Sequence, residues 1–375
     1  MKPFEIMKKH YHERSLAAKE WKENGGKVVG YISDAVPVEM IIAAGLFPLR
    51  LSGNPLASID TGDETMEFFF DPSVRSIYNM LLTGQYDFLD LLIIPHYNDS
   101  VFKLYYYLME IKRIEPSLKL PDFYLLDMLY TRWFATNLYN HQKVREFKKK
   151  LEDLSGKEIT TEDLSDAISI VNENRSLLKK VSELRKSDPP RISGTEALQI
   201  MGSSMFMDKK AHNRLLKDFL AEADRFSPKK GVRVSVEGSQ IDHLQFYELI
   251  ESCGATIVTE SHSWGDGISD HPVDTSFEPL GAITDRYHHY SSSPRLYPKV
   301  EELNHCLSGA KNFNVKGTLF FLLQWDDMPA WEYPEQKKIL DDNHIPSICF
   351  RMQKYYLTDT DKMKSEIGRF IKEIG

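Results

Sequence analysis

Residues 86–99, "YDFLDLLIIPHYND", and residues 314–327, "NVKGTLFFLLQWDD", follow one pattern: a continuous apolar run, a two-residue aromatic or polar step, and an acidic turn. Short unbroken apolar runs bounded by turn residues read as strands buried on both faces, the signature of parallel sheets. In open parallel sheets the ligand site lies beyond the carboxyl ends of the strands. His96, Asn98 and Asp99 in the first copy, and Asp326 and Asp327 in the second, therefore stand where a site is expected. A plainer reading competes. Asp99 or Ser100 can cap the helix that "SVFKLYYYLMEI" (100–111) predicts, and Asp326 or Asp327 can cap a turn beside Trp325, Trp331 and Tyr333 as core aromatics.

Working outward, residues 27–33, 47–53, 88–95 and 120–127 read as strands, and 37–46, 72–84 and 100–111 as helices, with Pro37 opening the first helix and Gly84 ending the second. Strands alternating with helices imply a parallel sheet covered on its faces. From 131 to 229 the strand signal disappears. Amphipathic helices are predicted over 160–186 and 207–226, interrupted by "DPPRISG" (188–194). The alternation returns with strands at 231–238, 255–260, 315–325 and 345–350 and helices at 241–254, 299–313, 333–343 and 359–374. The reading is an α/β chain: an N-terminal α/β domain (1–130), a helical segment (131–229) and a C-terminal α/β domain (230–375).

Among 375 residues, 55 acids outnumber 47 Lys and Arg, giving a formal charge of -8. That excludes nucleic acid as the expected partner, because phosphate neutralisation needs clustered basic charge. The basic run "KVREFKKK" (143–150) reads as a solvated helix face. The first 31 residues are charged throughout, without the apolar core of a signal peptide. "GTLFFLLQW" (317–325) is too short to span a bilayer. A cytoplasmic protein with no membrane segment is expected. Cys253, Cys306 and Cys349 have no short mutual spacing, so they read as buried free thiols rather than a disulfide framework or zinc knuckle.

Asp71 precedes Pro72, the pattern of an N-cap followed by proline at the first helical position. Arg75, a turn further on, either neutralises an anionic ligand or pairs with a neighbouring acid. The irregular stretches 260–276 and 285–298 hold His262, Asp266, Asp270, His271, His288 and His289, donors that suit a metal but lack a recognised ligand spacing. No Walker-type loop, no G-x-G-x-x-G after the first strand and no G-x-S-x-G elbow is present. "EGSQID" (237–242) is a strand-to-helix turn with the generic ability to hold an anion.

Four stretches resemble a known family: "VVGYISDAVPVEMIIAAGLFPLRLSG" (28–53), "VRSIYNMLLTGQYDFLDLLIIPHYNDS" (74–100), "LEDLSGKEITTEDLSDAISIVNENR" (151–175) and "YPEQKKILDDNHIPSICF" (333–350). They are similar to the large subunits of 2-hydroxyacyl-CoA dehydratases and ATP-dependent benzoyl-CoA reductases. The resemblance implies two flavodoxin-like domains with a helical segment between them, and assembly as a heterodimer. It also implies a [4Fe-4S] cluster between the domains, held by cysteines at strand-end turns. An ATP-driven activator protein delivers a low-potential electron that passes to a CoA thioester, giving a ketyl radical or a reduced ring.

This sequence departs from that pattern where it matters most. At the three positions where the resemblance places cluster cysteines stand Asp71, Asn98 and Asp326. Such clusters are held chiefly by soft thiolates, so no family-type cluster is expected in this chain, while a [4Fe-4S] cluster in a partner is compatible with it. Near the "V-P-x-E" step the family carries a small hydroxyl residue. Its equivalent here is Asp34, with Ser33 beside it, and these two are the catalytic candidates. Arg75 and Glu39 are the substrate-binding candidates.

Three functional readings follow. The first is a cluster-less subunit of a dehydratase or reductase complex, paired with a homologous partner or with itself and handling an acyl-CoA thioester. In the second, Asp71, His96, Asn98 and Asp326 bind a divalent metal that polarises a thioester or activates water. The third is a small-molecule-binding protein without turnover.

Overall fold

The computed structural model describes residues 2–290 and 298–375. Among the described residues eight strands form two sheets: β1 (Val28–Tyr31), β2 (Phe47–Arg50), β3 (Leu91–Pro95) and β4 (Asp122–Leu126) in the first, and β5 (Val232–Gly238), β6 (Ala255–Ser261), β7 (Gly317–Leu323) and β8 (Ser347–Gln353) in the second. Every pairing is parallel. The strand orders are β2-β1-β3-β4 and β6-β5-β7-β8, so the two halves repeat one doubly wound topology. This is the α/β arrangement that the alternating pattern predicts, and it is consistent with the flavodoxin-like domains that the resemblance implies. The two stretches with the shared pattern become β3 and β7, both interior strands and both buried along their whole length. Their unbroken apolar character follows from helices covering both faces.

Between β4 and β5 the described residues form the helices Phe134–Ser155, Thr161–Lys186, Gly194–Ser203 and Lys209–Ala221 and one short 3-10 turn. Thr160 opens the longest with a reciprocal capping box to Asp163. These helices are built into the sheets rather than standing apart. Phe147, Leu164 and Ile168 pack with Val29, Leu91 and Ile93 of the first sheet. A continuous core also joins Val28, Leu92 and Ile94 to Val234, Leu319 and Phe321 of the second.

Three local expectations need correction. The helix predicted from residue 333 begins at Asp327 and runs to Asp342, passing through Pro334. Pro329 is compatible with this start because the first turn's N–H groups have no intrahelical partner. Of the three thiols only Cys306 is buried. Cys253 closes the helix Gln245–Ser252, and Cys349 lies on β8, the edge strand of its sheet, so both are half-buried. The second irregular stretch is in part the end of the helix Pro279–His289, and its residues 291–297 lie outside the described residues. No helix among the described residues is long and apolar enough to cross a membrane.

Candidate functional site

The carboxyl ends of the strands from both sheets face a common cavity. It is lined by Ser33 after β1, Arg50 at the end of β2, Asn98 after β3, Ser239 after β5 and Asp326 after β7, together with Asp71. Asp71, Asn98 and Asp326, 255 residues apart at the extremes (326 − 71), are thus brought to one place by the repeated topology.

Each is positioned by its local backbone. Asp71 caps the helix Pro72–Leu82, accepting from the Ser73 N–H at 2.8 Å and the Ser73 hydroxyl at 2.7 Å. The Ser73 hydroxyl in turn accepts from Gln240 Nε2 at 2.6 Å, a bond between the two halves. Asn98 caps the helix Asp99–Ile114 through its Oδ1, which accepts from the Val101 N–H at 2.8 Å. The cap expected at Asp99 or Ser100 therefore falls on Asn98, whose extended backbone suits an N-cap. Ser100 instead accepts from the Asp71 N–H at 3.1 Å and ties the two turns together. Asp326 has no capping bond. Its buried carboxylate is served by the Ser239 hydroxyl.

Burial dominates the chemistry of these acids. It raises the Asp71 carboxyl, against the opposing hydrogen bonds from Ser73. Burial and then the neighbouring Asp71 charge push Asp326 up to about 8. Two carboxyls that cannot both ionise cheaply titrate as a pair, and at neutral pH the pair retains a proton that one member can donate. Folding therefore takes up protons, and the stabilisation is fully present below the unfolded-state value of about 3.9 and is lost as pH rises toward the folded value. Asp326→Asn removes one charge and keeps a hydrogen-bonding group for Ser239. Its unfolding free energy is expected to exceed the parent's by about 1–3 kcal/mol near pH 9 and by little near pH 5. Urea titrations at the two pH values check this, and a difference that does not grow with pH would refute the paired titration.

The chain takes a positive φ near the ends of both β1 and β5. Ser33 has φ 63° and Gly238 has φ 112°. At Gly238 a Cβ would come within 2.5 Å of the Phe321 carbonyl oxygen, so glycine is required there. Ser33 holds this unusual conformation with a side chain, its Oγ accepting from the Ala35 N–H at 3.2 Å. It lines the cavity between the two sheets and also a second one behind it, where Asp34 lies.

The remaining candidates sit elsewhere. Glu39 is fully buried and receives Arg175 Nη2 at 2.5 Å and the Tyr287 hydroxyl at 2.9 Å. Arg75 turns to Asp63 at the surface and to the Phe68 carbonyl at 3.3 Å. His96 is outside the cavity lining: its Nδ1 meets Asp127 Oδ1 at 2.7 Å, and its ring stacks on Phe102 with centroids 4.3 Å apart. Among the described residues no three His, Cys, Asp or Glu side chains are grouped as metal ligands.

Several cavity residues escape sequence reading. Arg50 is buried beneath Trp264, 4.2 Å from its ring centroid, and donates to the Ser263 carbonyl at 2.6 Å and hydroxyl at 2.8 Å. The signal was an arginine inside the apolar strand "FPLRLSG". Buried Asp242 binds Arg14 at 3.1 Å and the Tyr355 hydroxyl at 2.7 Å, while its Oδ1 has no partner. Ser239, Gln240 and Asp242 belong to "EGSQID", the turn read only as generic. His262, which the sequence offered as a possible metal donor, lines the same cavity, and its burial lowers it to about 4 and keeps the ring neutral. Its Nδ1 accepts from the Trp264 N–H at 3.2 Å, so Nε2 carries the proton toward the Tyr247 hydroxyl at 2.8 Å.

Asp71, Asn98 and Asp326, at the positions where the resemblance places cysteines, do not fit an iron–sulfur cluster. They offer hard carboxylate or amide donors, and two of them are committed to helix caps.

Comparison with known proteins covers most of the chain. The 2-hydroxyglutaryl-CoA dehydratase D-component family matches residues 35–374. The chain belongs to this family. One of the subunits of benzoyl-CoA reductase from Thauera aromatica is 27% identical over 347 residues, covering 89% of this chain and 88% of the relative. The beta subunit of (R)-phenyllactyl-CoA dehydratase from Clostridium sporogenes is 24% identical, covering 88% and 87%. The beta subunit of (R)-2-hydroxyglutaryl-CoA dehydratase from Acidaminococcus fermentans is also 24% identical, covering 92% and 91%. The family match takes in Asp71, Asn98 and Asp326, so the oxygen donors stand within the family's own span rather than in an added segment.

Proposed function

We propose that this chain is a cytoplasmic subunit of a 2-hydroxyacyl-CoA dehydratase or benzoyl-CoA reductase-like complex, acting on an acyl-CoA thioester with a homologous partner and without a family-type cluster of its own. The observation that carries this reading is the convergence of Asp71, Asn98 and Asp326 on one cavity between the two sheets. The family architecture is kept, while the donors there are those of a proton-holding pair rather than of a redox centre. Relatives that are subunits of CoA-thioester enzymes support the substrate class and the partner. An ATP-dependent activator would act on the complex through the subunit that holds a cluster. In this chain the Asp71–Asp326 pair would present a hydrogen-bond donor to a thioester oxygen or to a departing hydroxyl.

Protein purified without oxygen should contain no iron or labile sulfide in cluster proportion and show no cluster absorption. It should bind an acyl-CoA thioester in calorimetry far more tightly than the free acid of the same acyl group. Stoichiometric iron and sulfide would overturn the cluster-less reading, and equal affinity for thioester and free acid would overturn the thioester reading.

A further inference from the structure

The second cavity, behind Ser33, has a different character. Arg50, Arg175, Lys209 and Arg286 converge on it together with Asp34. All four basic side chains are at most 8% exposed. Buried Arg and Lys are rare unless paired, so what each one meets decides the argument.

Only Arg175 meets an ionised partner directly, at Glu39. Arg286 donates from Nε to the His271 carbonyl at 3.0 Å and from Nη2 to the Asp270 carbonyl at 3.3 Å. Lys209 donates to the Ser204 carbonyl, and burial lowers it to about 7, so at neutral pH it carries its charge only in part and an anion beside it would favour the charged form. Arg50 donates to Ser263, and its buried Nε has no partner. Main-chain carbonyls satisfy donors but do not cancel charge. Asp34, the other acid at the wall, keeps a buried Oδ1 without a partner, and burial shifts its carboxyl toward the neutral form. Three guanidiniums and a partly charged lysine against one ionised acid, Glu39, leave a surplus of buried positive charge, and Arg50 Nε has no partner. The void offers about 60 Å3 to the centres of water-sized molecules. One water needs roughly 10–15 Å3 on that scale, so there is room for an anion of a few heavy atoms.

We propose that this cavity is a binding site for a small carboxylate, held by Arg50, Lys209 and Arg286, with Asp34 opposite them. The carboxylate is either a free acid or the far end of an acyl chain. The free-acid test stands whether or not the thioester reading holds.

Calorimetric titration of the full chain with acetate and with neutral, isosteric acetamide tests the site directly. Acetate is expected to bind at least about tenfold more tightly, the size of a charge-assisted hydrogen bond. Lys209→Met should lose that preference, while Lys209→Arg, which keeps the charge, should retain it. Circular dichroism checks that both variants fold. Succinyl-CoA against butyryl-CoA separates the sources. A preference for succinyl-CoA that Lys209→Met removes places the carboxylate on an acyl chain, and acetate binding without that preference assigns it to a free acid; both uphold the site. Equal affinity for acetate and acetamide, or an unchanged acetate preference in folded Lys209→Met, would overturn it.

Discussion

The triple variant Asp71→Cys, Asn98→Cys, Asp326→Cys is expected to take up iron and sulfide on anaerobic reconstitution and to gain visible charge-transfer absorption, whereas the parent chain gains neither. The three positions line one cavity at strand-end turns fixed by fully buried strands, so the backbone already gathers them. What the parent lacks is donor chemistry: oxygen and amide groups bind iron–sulfur units weakly compared with thiolates. The substitutions cost two helix caps, at Asp71 and Asn98, about 1 kcal/mol each. They also remove the mutual repulsion of Asp71 and Asp326, which offsets part of that loss. Single cysteine variants should bind nothing stable. Iron and sulfide analysis with circular dichroism decides the matter: a folded triple variant that stays colourless would show that the cavity, and not only its donors, has diverged from a cluster site.

How far the sequence foretold this site follows from where the information lay. Buried parallel strands impose unbroken apolar runs, so β3 and β7 and the turns after them could be read directly, and with them Asn98 and Asp326. Asp71 was legible because an N-cap before proline has a local signature. Partnerships across the fold leave no local trace. Glu39 and Arg175 are 136 positions apart, and nothing near either residue announces the other. Arg50 and Asp242 read as a stray charge in a strand and an ordinary turn acid, and only the packing of one half on the other turns them into walls of a shared cavity. Arg75 and His96 went the opposite way. Their neighbourhood in sequence pointed at the site, but their side chains reach nearer partners, Asp63 and Asp127.

Arg185→Met is expected to be among the most destabilising single changes in the chain, costing about 3–5 kcal/mol. Arg185 is wholly buried and lies near the end of the helix Thr161–Lys186. Its guanidinium forks onto Glu260, with Nη2 2.6 Å from Oε1, and onto Asp266 Oδ1 at 2.8 Å. Lys186 reaches Asp266 Oδ2 at 2.9 Å, the Asp266 N–H donates to Glu260 Oε1 at 3.0 Å, and the Tyr247 hydroxyl donates to Glu260 Oε2 at 3.0 Å. This network pins the helical segment to β6, and so to the loop carrying His262 and Trp264. Methionine fills the volume but leaves two carboxylates in the interior with one cation instead of two. Combining Arg185→Met with Glu260→Gln and Asp266→Asn removes the stranded charges and should recover much of the loss, because the penalty belongs to the unpaired ions rather than to the missing bonds. The pH response has a definite sign. Burial alone would raise Asp266, and the charges of Arg185 and Lys186 outweigh it and hold the carboxyl at about 2. Its stabilisation is present above the unfolded value of about 3.9 and is lost as pH falls toward the folded one. In Arg185→Met that depression shrinks and burial gains weight, so its deficit relative to the parent should narrow as pH falls from about 6 toward 3. Urea unfolding of the single and triple variants across that range measures both effects, and a single-variant cost below about 1 kcal/mol would mean that the network is not what holds the helices to the second sheet.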